Sequence, residues 1–218
     1  MKNRILTTGF ILILSIGIFC GCQKVKKEQV EISNQVSEKK FEFQNGDIIF
    51  QTSLSSQSEA IQVATNSKYS HCGMIFDENG LYVYEAIEPT KLTPLKEWIA
   101  RGKNGKYVVK RLKNPEIIKR NYIKFTNACN QFLHKHYDSN FDWSDDKVYC
   151  SELVWKSYKN GLGIELGKLQ KLSDFNLTNE IVKKKLKERY GNKIPKNESV
   201  ISPSAIFESD LLETVKSN

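Results

Sequence analysis

The chain has 218 residues, of which 39% are hydrophobic and 27% charged, with five cysteines and a net charge of +8. Such a chain can bury one full core, and it is neither a disordered polymer nor a disulfide scaffold. The basic residues are scattered and no nucleic-acid-reading motif accompanies them, so nucleic acid is not an expected partner and the charge reads as a lysine-rich solvated face.

The N-terminus, MKNRILTTGFILILSIGIFCGC, carries Lys2 and Arg4 ahead of an apolar run from Ile5 to Phe19. That run is short for a membrane span and has the basic start, apolar middle and small-residue end of a signal peptide over residues 1–21. Phe19-Cys20-Gly21-Cys22 resembles a bacterial lipobox, although Phe19 stands where leucine is usual. Cleavage before Cys22 would leave that cysteine lipidated and the protein outside the cytoplasm, held at a membrane; an uncleaved signal anchor is the other reading. Cleavage removes two basic residues and no acidic one. Residues 22–40 are polar, lack aromatics and cannot bury enough to fold alone, which suits a flexible tether.

The domain is expected over 41–218. Asn45-Gly46 marks a turn and Asp47–Gln51 a strand. Ser53–Asn66 reads as a loop feeding a helix, with Ala60, Ile61 and Ala64 at helical spacing. Tyr69–Phe76 and Leu81–Ala86 form a hairpin about Asp77–Gly80. Pro94 opens a short helix over Leu95–Arg101, and Lys106–Leu112 is another strand. Pro115–His136 carries the apolar stripe of one long helix. Tyr137–Lys147 is irregular, Ser151–Asn160 is a helix stopped by Gly161, and Asn179–Tyr190 is a charged helix. Ile201-Ser202-Pro203 starts a last short segment. These elements make an α+β domain with a small antiparallel sheet packed against helices.

Cys150, in DKVYCSELVW, stands where a helix begins. Unpaired N–H groups and the positive dipole end there favour a thiolate, although a buried structural cysteine is the commoner use of the residue. A thiolate nucleophile needs an imidazole. His134 and His136 read as surface residues at a helix end, whereas His71 lies in the apolar strand YSHCGMIF. Glu85, on the return strand, can orient His71 if the hairpin has a three-residue loop, which puts the pair opposite or one diagonal step apart; Glu88 is the second choice. The oxyanion could be held by the backbone N–H of Cys150 or Ser151 and by the Gln51 side chain, with Tyr149 lining the pocket or donating its hydroxyl. Cys72 should point away from His71 into the core, and Cys72 and Cys129 read as two buried thiols. No metal-ligand spacing, phosphate loop or dinucleotide fingerprint occurs, so neither a metal nor a cofactor is expected.

The order His71, Glu85, Cys150 reverses the papain order of cysteine first. The stretches GDIIFQTSLSSQSEAIQVATNSKYSHCGMIF, VYEAIEPTKLTPLKEWIARG, YCSELVWKSYKNGLGIEL and VISPSAIFESDLL cover most of Asn45–Leu212. They resemble the permuted papain-like amidases of the YaeF/YiiX type, relatives of the NlpC-type wall peptidases. The resemblance implies a circularly permuted papain-like fold, with Cys150 as nucleophile, His71 as base and Glu85 as orienting member of a triad. It extends more distantly to lecithin:retinol acyltransferase-like proteins, which act on lipids. A cysteine hydrolase cleaving an amide in wall peptide is the first expectation. A thiol-dependent lipid acyl hydrolase or acyltransferase, or a non-catalytic ligand-binding lipoprotein, are the alternatives. An apolar tunnel beside Cys150 would favour lipid, and a polar cleft would favour peptide.

Overall fold

The computed structural model describes residues 41–218; the expected signal peptide 1–21, Cys22 and the expected tether 22–40 lie outside the described residues. In chain order the elements are β1 (Ile48–Gln51), α1 (Ser58–Thr65), β2 (His71–Asp77), β3 (Leu81–Glu85), β4 (Lys91–Pro94), α2 (Leu95–Ala100), β5 (Val108–Leu112), α3 (Glu116–Arg120), α4 (Tyr122–Asn130), β6 (His136–Tyr137), β7 (Lys147–Val148), α5 (Cys150–Leu162), β8 (Gln170–Lys171), α6 (Glu180–Tyr190), β9 (Ser199–Val200), α7 (Pro203–Phe207) and β10 (Leu212–Ser217). Six strands form one antiparallel sheet in the order β10-β5-β1-β2-β3-β4. Among the described residues no helix is long and apolar enough to cross a membrane.

Strand alternation divides the core. Phe50, Cys72, Met74 and Phe76 face α4 and α5, where Phe125, Leu153, Val154 and Tyr158 complete the larger cluster. Ile49, Ile75, Val83 and Val109 face the other way, onto Leu95 and Trp98 of α2. With helices over both faces, the central strand β1 is buried throughout. A third, smaller cluster joins α1 to α6 through Ala64, Leu172, Val182 and Leu186.

The hairpin β2–β3 pairs Met74 with Tyr84 and Asp77 with Leu81, so its loop is Glu78–Gly80. Continued by one step, that register sets Glu85 across from Gly73 and one diagonal from His71. Gly73 lies between them on the same face. A Cβ there would sit 2.5 Å from Val83 Cγ1 and 2.8 Å from the Tyr84 carbonyl oxygen, so the packing requires a glycine.

Four sequence expectations need correction. The helix expected over Pro115–His136 breaks at Asn121, whose backbone leaves helical geometry (φ −117°, ψ 24°), and it ends at Asn130; His136 belongs to a short strand. Gly161 does not stop α5. It lies inside the helix, where a Cβ would come within 2.8 Å of Phe125 Cα, so it lets α4 and α5 approach; Gly163, left-handed at φ 73°, is the cap. Helix α5 starts at Cys150 itself, one residue before the expected Ser151. Strands β4 and β10 escaped the sequence reading. Lys91–Pro94 is too short and too polar to show a pattern, and β10 is largely exposed at the sheet edge.

Candidate active site

Cys150 is the first residue of α5, and the residues from Cys150 to Tyr158 are all buried. The Tyr149 N–H donates to the Glu152 carboxylate (3.3 Å), which closes the helix start. The N–H groups of Cys150 and Ser151, in the first helical turn, have no intrahelical acceptor. The helix therefore offers a fixed sulfur and free backbone donors at one point.

His71 is the first residue of β2, at the end of the sheet facing that point. Its Nε2 meets Glu85 Oε2 at 2.7 Å, which leaves Nδ1 for the Cys150 thiol, with which the ring is in hydrogen-bond reach. The ring stacks on Trp98, with centroids 5.8 Å apart and planes at 24°. Glu85 is fully buried and accepts also from Thr93 Oγ1 (2.6 Å) and from the Arg101 guanidinium. Burial opposes its charge, but His71, Thr93 and Arg101 together hold the carboxyl below the ordinary range. Burial likewise opposes a charged His71, yet hydrogen bonds and charge from Cys150 and Glu85 lift the ring to about 9. The Cys150 thiol falls well below the usual cysteine value, first through a hydrogen bond from Cys72, then, against burial, through His71. The balance favours a thiolate–imidazolium pair.

Cys72 points away from His71 into the core, as the strand alternation predicts, and it stays a free thiol. What the sequence did not show is that it also neighbours the Cys150 thiol, because β2 extends past the end of β3 toward the start of α5. Cys72, Cys129 and Cys150 are all free thiols. Alternation along the strand separates His71 from Cys72; only the position of α5 at the strand's end lets Cys150 touch both.

Gln51 is the ladder partner of His71 and is buried, with Oε1 unpartnered. A Cβ on Gly102 would lie 2.1 Å from that oxygen, so glycine makes room for the amide. The hydroxyls of Tyr149 and Ser151 are engaged elsewhere. Tyr149 Oη accepts from Ile201 N (3.0 Å), and Ser151 Oγ donates to Ile201 O (2.8 Å). Glu88 does not reach His71; it pairs with His136 Nδ1 (2.5 Å) and accepts from Tyr137 N (2.9 Å). Arg101, Thr93 and Cys72 were invisible as site residues in the sequence, since each lies on an element whose position only the fold sets. Among the described residues no group of three or more His, Cys, Asp or Glu side chains is placed to hold a metal ion.

Two hollows open at this site, one lined by Cys150 and the other by His71. One is apolar and runs from Cys150, Tyr149 and Ile201 between α1 and α6, past Ala64, Phe175 and Leu186. The other is a cleft that opens beside His71, where Gln51, Gln57, Ser70, Arg101 and Tyr137 stand among the apolar Leu54, Ala86 and Ile87.

Residues 42–216 match the model of a family described as permuted papain-like amidase enzymes, YaeF/YiiX, C92 family. The uncharacterized protein YiiX of Escherichia coli K12 is 51% identical over 173 residues, which span 79% of this chain and 85% of that protein. The crystal structure of the metalloprotein yiiX from Escherichia coli O157:H7 superimposes with a TM-score of 0.79 at 51% identity, over 82% of this chain and 99% of the other.

Proposed function

The chain belongs to the permuted papain-like amidase family, and from that premise we propose that it hydrolyses N-acyl amides through Cys150, with an apolar acyl arm in the hollow beneath the sulfur and the amine in the cleft beside His71. The observation that carries this reading is the position of the Cys150–His71 pair between the two hollows. In the proposed reaction the thiolate adds to the carbonyl carbon, a sulfur–carbon bond forms, and the π pair moves onto oxygen. First-turn N–H groups of α5, with Gln51, hold that oxyanion. As the intermediate collapses, the carbon–nitrogen bond breaks and the leaving amine takes the His71 proton. Water, deprotonated by His71, then releases the acid from the thioester. Glu85, backed by Arg101 and Thr93, holds the ring in the tautomer this requires.

The relative's name calls it a metalloprotein, but the donor set of this chain does not fit a metal centre among the described residues, and no step is routed through one. In the same proposal the domain acts outside the cytoplasm, tethered through a lipidated Cys22. Growth with a radiolabelled fatty acid should label the chain, and Cys22→Ser should lose the label.

The test compares N-dodecanoylglycine, N-acetylglycine and a short wall-type peptide. Release of dodecanoic acid at a rate well above release of acetate supports the reading. Cleavage of the wall peptide with no hydrolysis of either acyl amide would replace it with a peptidase.

A further inference from the structure

The cleft beside His71 contains a tyrosine whose hydroxyl proton has no protein acceptor among the described residues. Tyr137 lines the cleft together with His71 and Gln51. Its hydroxyl lies 2.8 Å from Gln57 Nε2, and the Oε1 of that amide receives the Arg189 guanidinium. The direction of each bond follows from the donor inventory. Arginine can only donate, so Gln57 must present its oxygen to Arg189 and its NH₂ to Tyr137. The amide nitrogen can only donate in turn, so the phenol oxygen accepts, and its own proton is left for another partner. Arg189 is itself held over the Phe141 ring, at 4.2 Å.

The backbone fixes where the Tyr137 ring lies. Tyr137 pairs with Val148 in the β6–β7 ladder, two residues before Cys150, and the Glu88 carboxylate secures its N–H. The phenol is near enough to Cys150 to feel its charge. Burial, then the negative charge of Cys150, push its ionisation well above the usual tyrosine range, so it stays a donor.

We propose that Tyr137 is a further catalytic residue, whose hydroxyl donates to the substrate oxyanion, and that Gln57 and Arg189 are positioning residues that turn its proton toward the cleft. This rests on the cysteine-nucleophile reading above. It adds a side-chain donor from the β6 side to the backbone donors of α5, so the oxygen of the tetrahedral intermediate is held from two directions.

A reversible aldehyde and an irreversible alkylating agent separate this role from a structural one. Octanal adds to the thiolate; the sulfur–carbon bond forms and the former carbonyl oxygen takes the oxyanion position. Iodoacetamide is attacked at its methylene with loss of iodide, and no oxyanion develops at that centre. The measurement is the octanal concentration that protects Cys150 from iodoacetamide at neutral pH. In Tyr137→Phe that concentration should rise by about 10²-fold, with the alkylation rate in the absence of aldehyde within about twofold of wild type. Gln57→Ala, at a partly exposed position, should show a smaller rise in the same direction, and it serves if the tyrosine variant fails to fold. Unchanged protection in both variants, or no protection of the wild-type protein, would overturn the role of Tyr137. Failure of iodoacetamide to label Cys150 in the wild type would instead remove the nucleophile reading itself.

Discussion

The two hollows at the site, one lined by Cys150 and the other by His71, have different walls. The one beneath the sulfur is walled by α1, α6 and the 199–203 segment, with aliphatic and aromatic side chains and cations only at its rim, among them Lys185. The one beside His71 is walled by the sheet end, Arg101 and the residues near β6, and its amides, hydroxyls and charges are mostly engaged with one another. An apolar cavity rewards each methylene it removes from water by about 0.8 kcal/mol, and the cleft beside His71 adds polar groups that can stabilise charge developing during reaction. An amide with an apolar acyl half and an amine half that carries polar groups suits both. This contrast moves the substrate reading from wall peptide, expected from distant relatives, toward acyl amides.

Substitutions at the junction should affect both sides, and those on one side should not. The largest effect is expected for Cys150→Ala, which should lower turnover of every substrate by at least about 10³-fold while far-UV circular dichroism stays unchanged. His71→Ala should act alike, and the double variant should be little worse than either, because the two residues work as a unit. Next, Ala64→Trp fills the apolar hollow. It should cut kcat/KM for a dodecanoyl amide by roughly 10–100-fold, the loss of a few buried methylenes, and leave an acetyl amide unaffected. Equal loss on both would mean that the hollow does not hold the acyl arm.

Two smaller effects concern charge. Cys72→Ala removes the hydrogen bond that contributes most to the low Cys150 ionisation. With the thiolate less favoured, the acid limb of the alkylation rate should move to higher pH, and the rate in mildly acidic buffer should fall several-fold, about 3–10. On the alkaline side His71 titrates at about 9, so its proton, needed by the leaving amine, is present below that pH and lost above it. Arg101→Met takes one partner from Glu85, whose ionisation then moves up toward the ordinary carboxylate range, and the acid limb of kcat should shift to higher pH. The Arg101 side chain is 44% exposed, so water screens it, and only a two- to threefold change, about that order, is expected near neutral pH.

Local pattern made several parts of this site legible. Alternation along YSHCGMIF and VYEAIEP, with a three-residue loop, is enough to set His71 and Glu85 on one face, and His71 Nε2 lies 2.7 Å from Glu85 Oε2. The step from polar residues to helical spacing at Cys150 locates a helix start to within a residue. Gly161 was misread because a glycine after a helical run looks like a cap, and only the proximity of Phe125 reveals it as a packing site. Pro115–His136 looked continuous because its apolar stripe survives the break at Asn121.

Hydrophobic period, turn residues and a cysteine at a helix start are properties of neighbours along the chain, and from them the sequence by itself determined the α+β class, the hairpin and the three residues Cys150, His71 and Glu85 as candidates. The contact of Cys72 with the sulfur, the Thr93 and Arg101 support of Glu85, the Arg189–Gln57–Tyr137 relay and the apolar hollow were decided by tertiary structure alone. Each joins elements separated by up to 132 residues along the chain. Their approach is set by the packing of α1 and α6 and of the sheet end against α5, which no local pattern encodes.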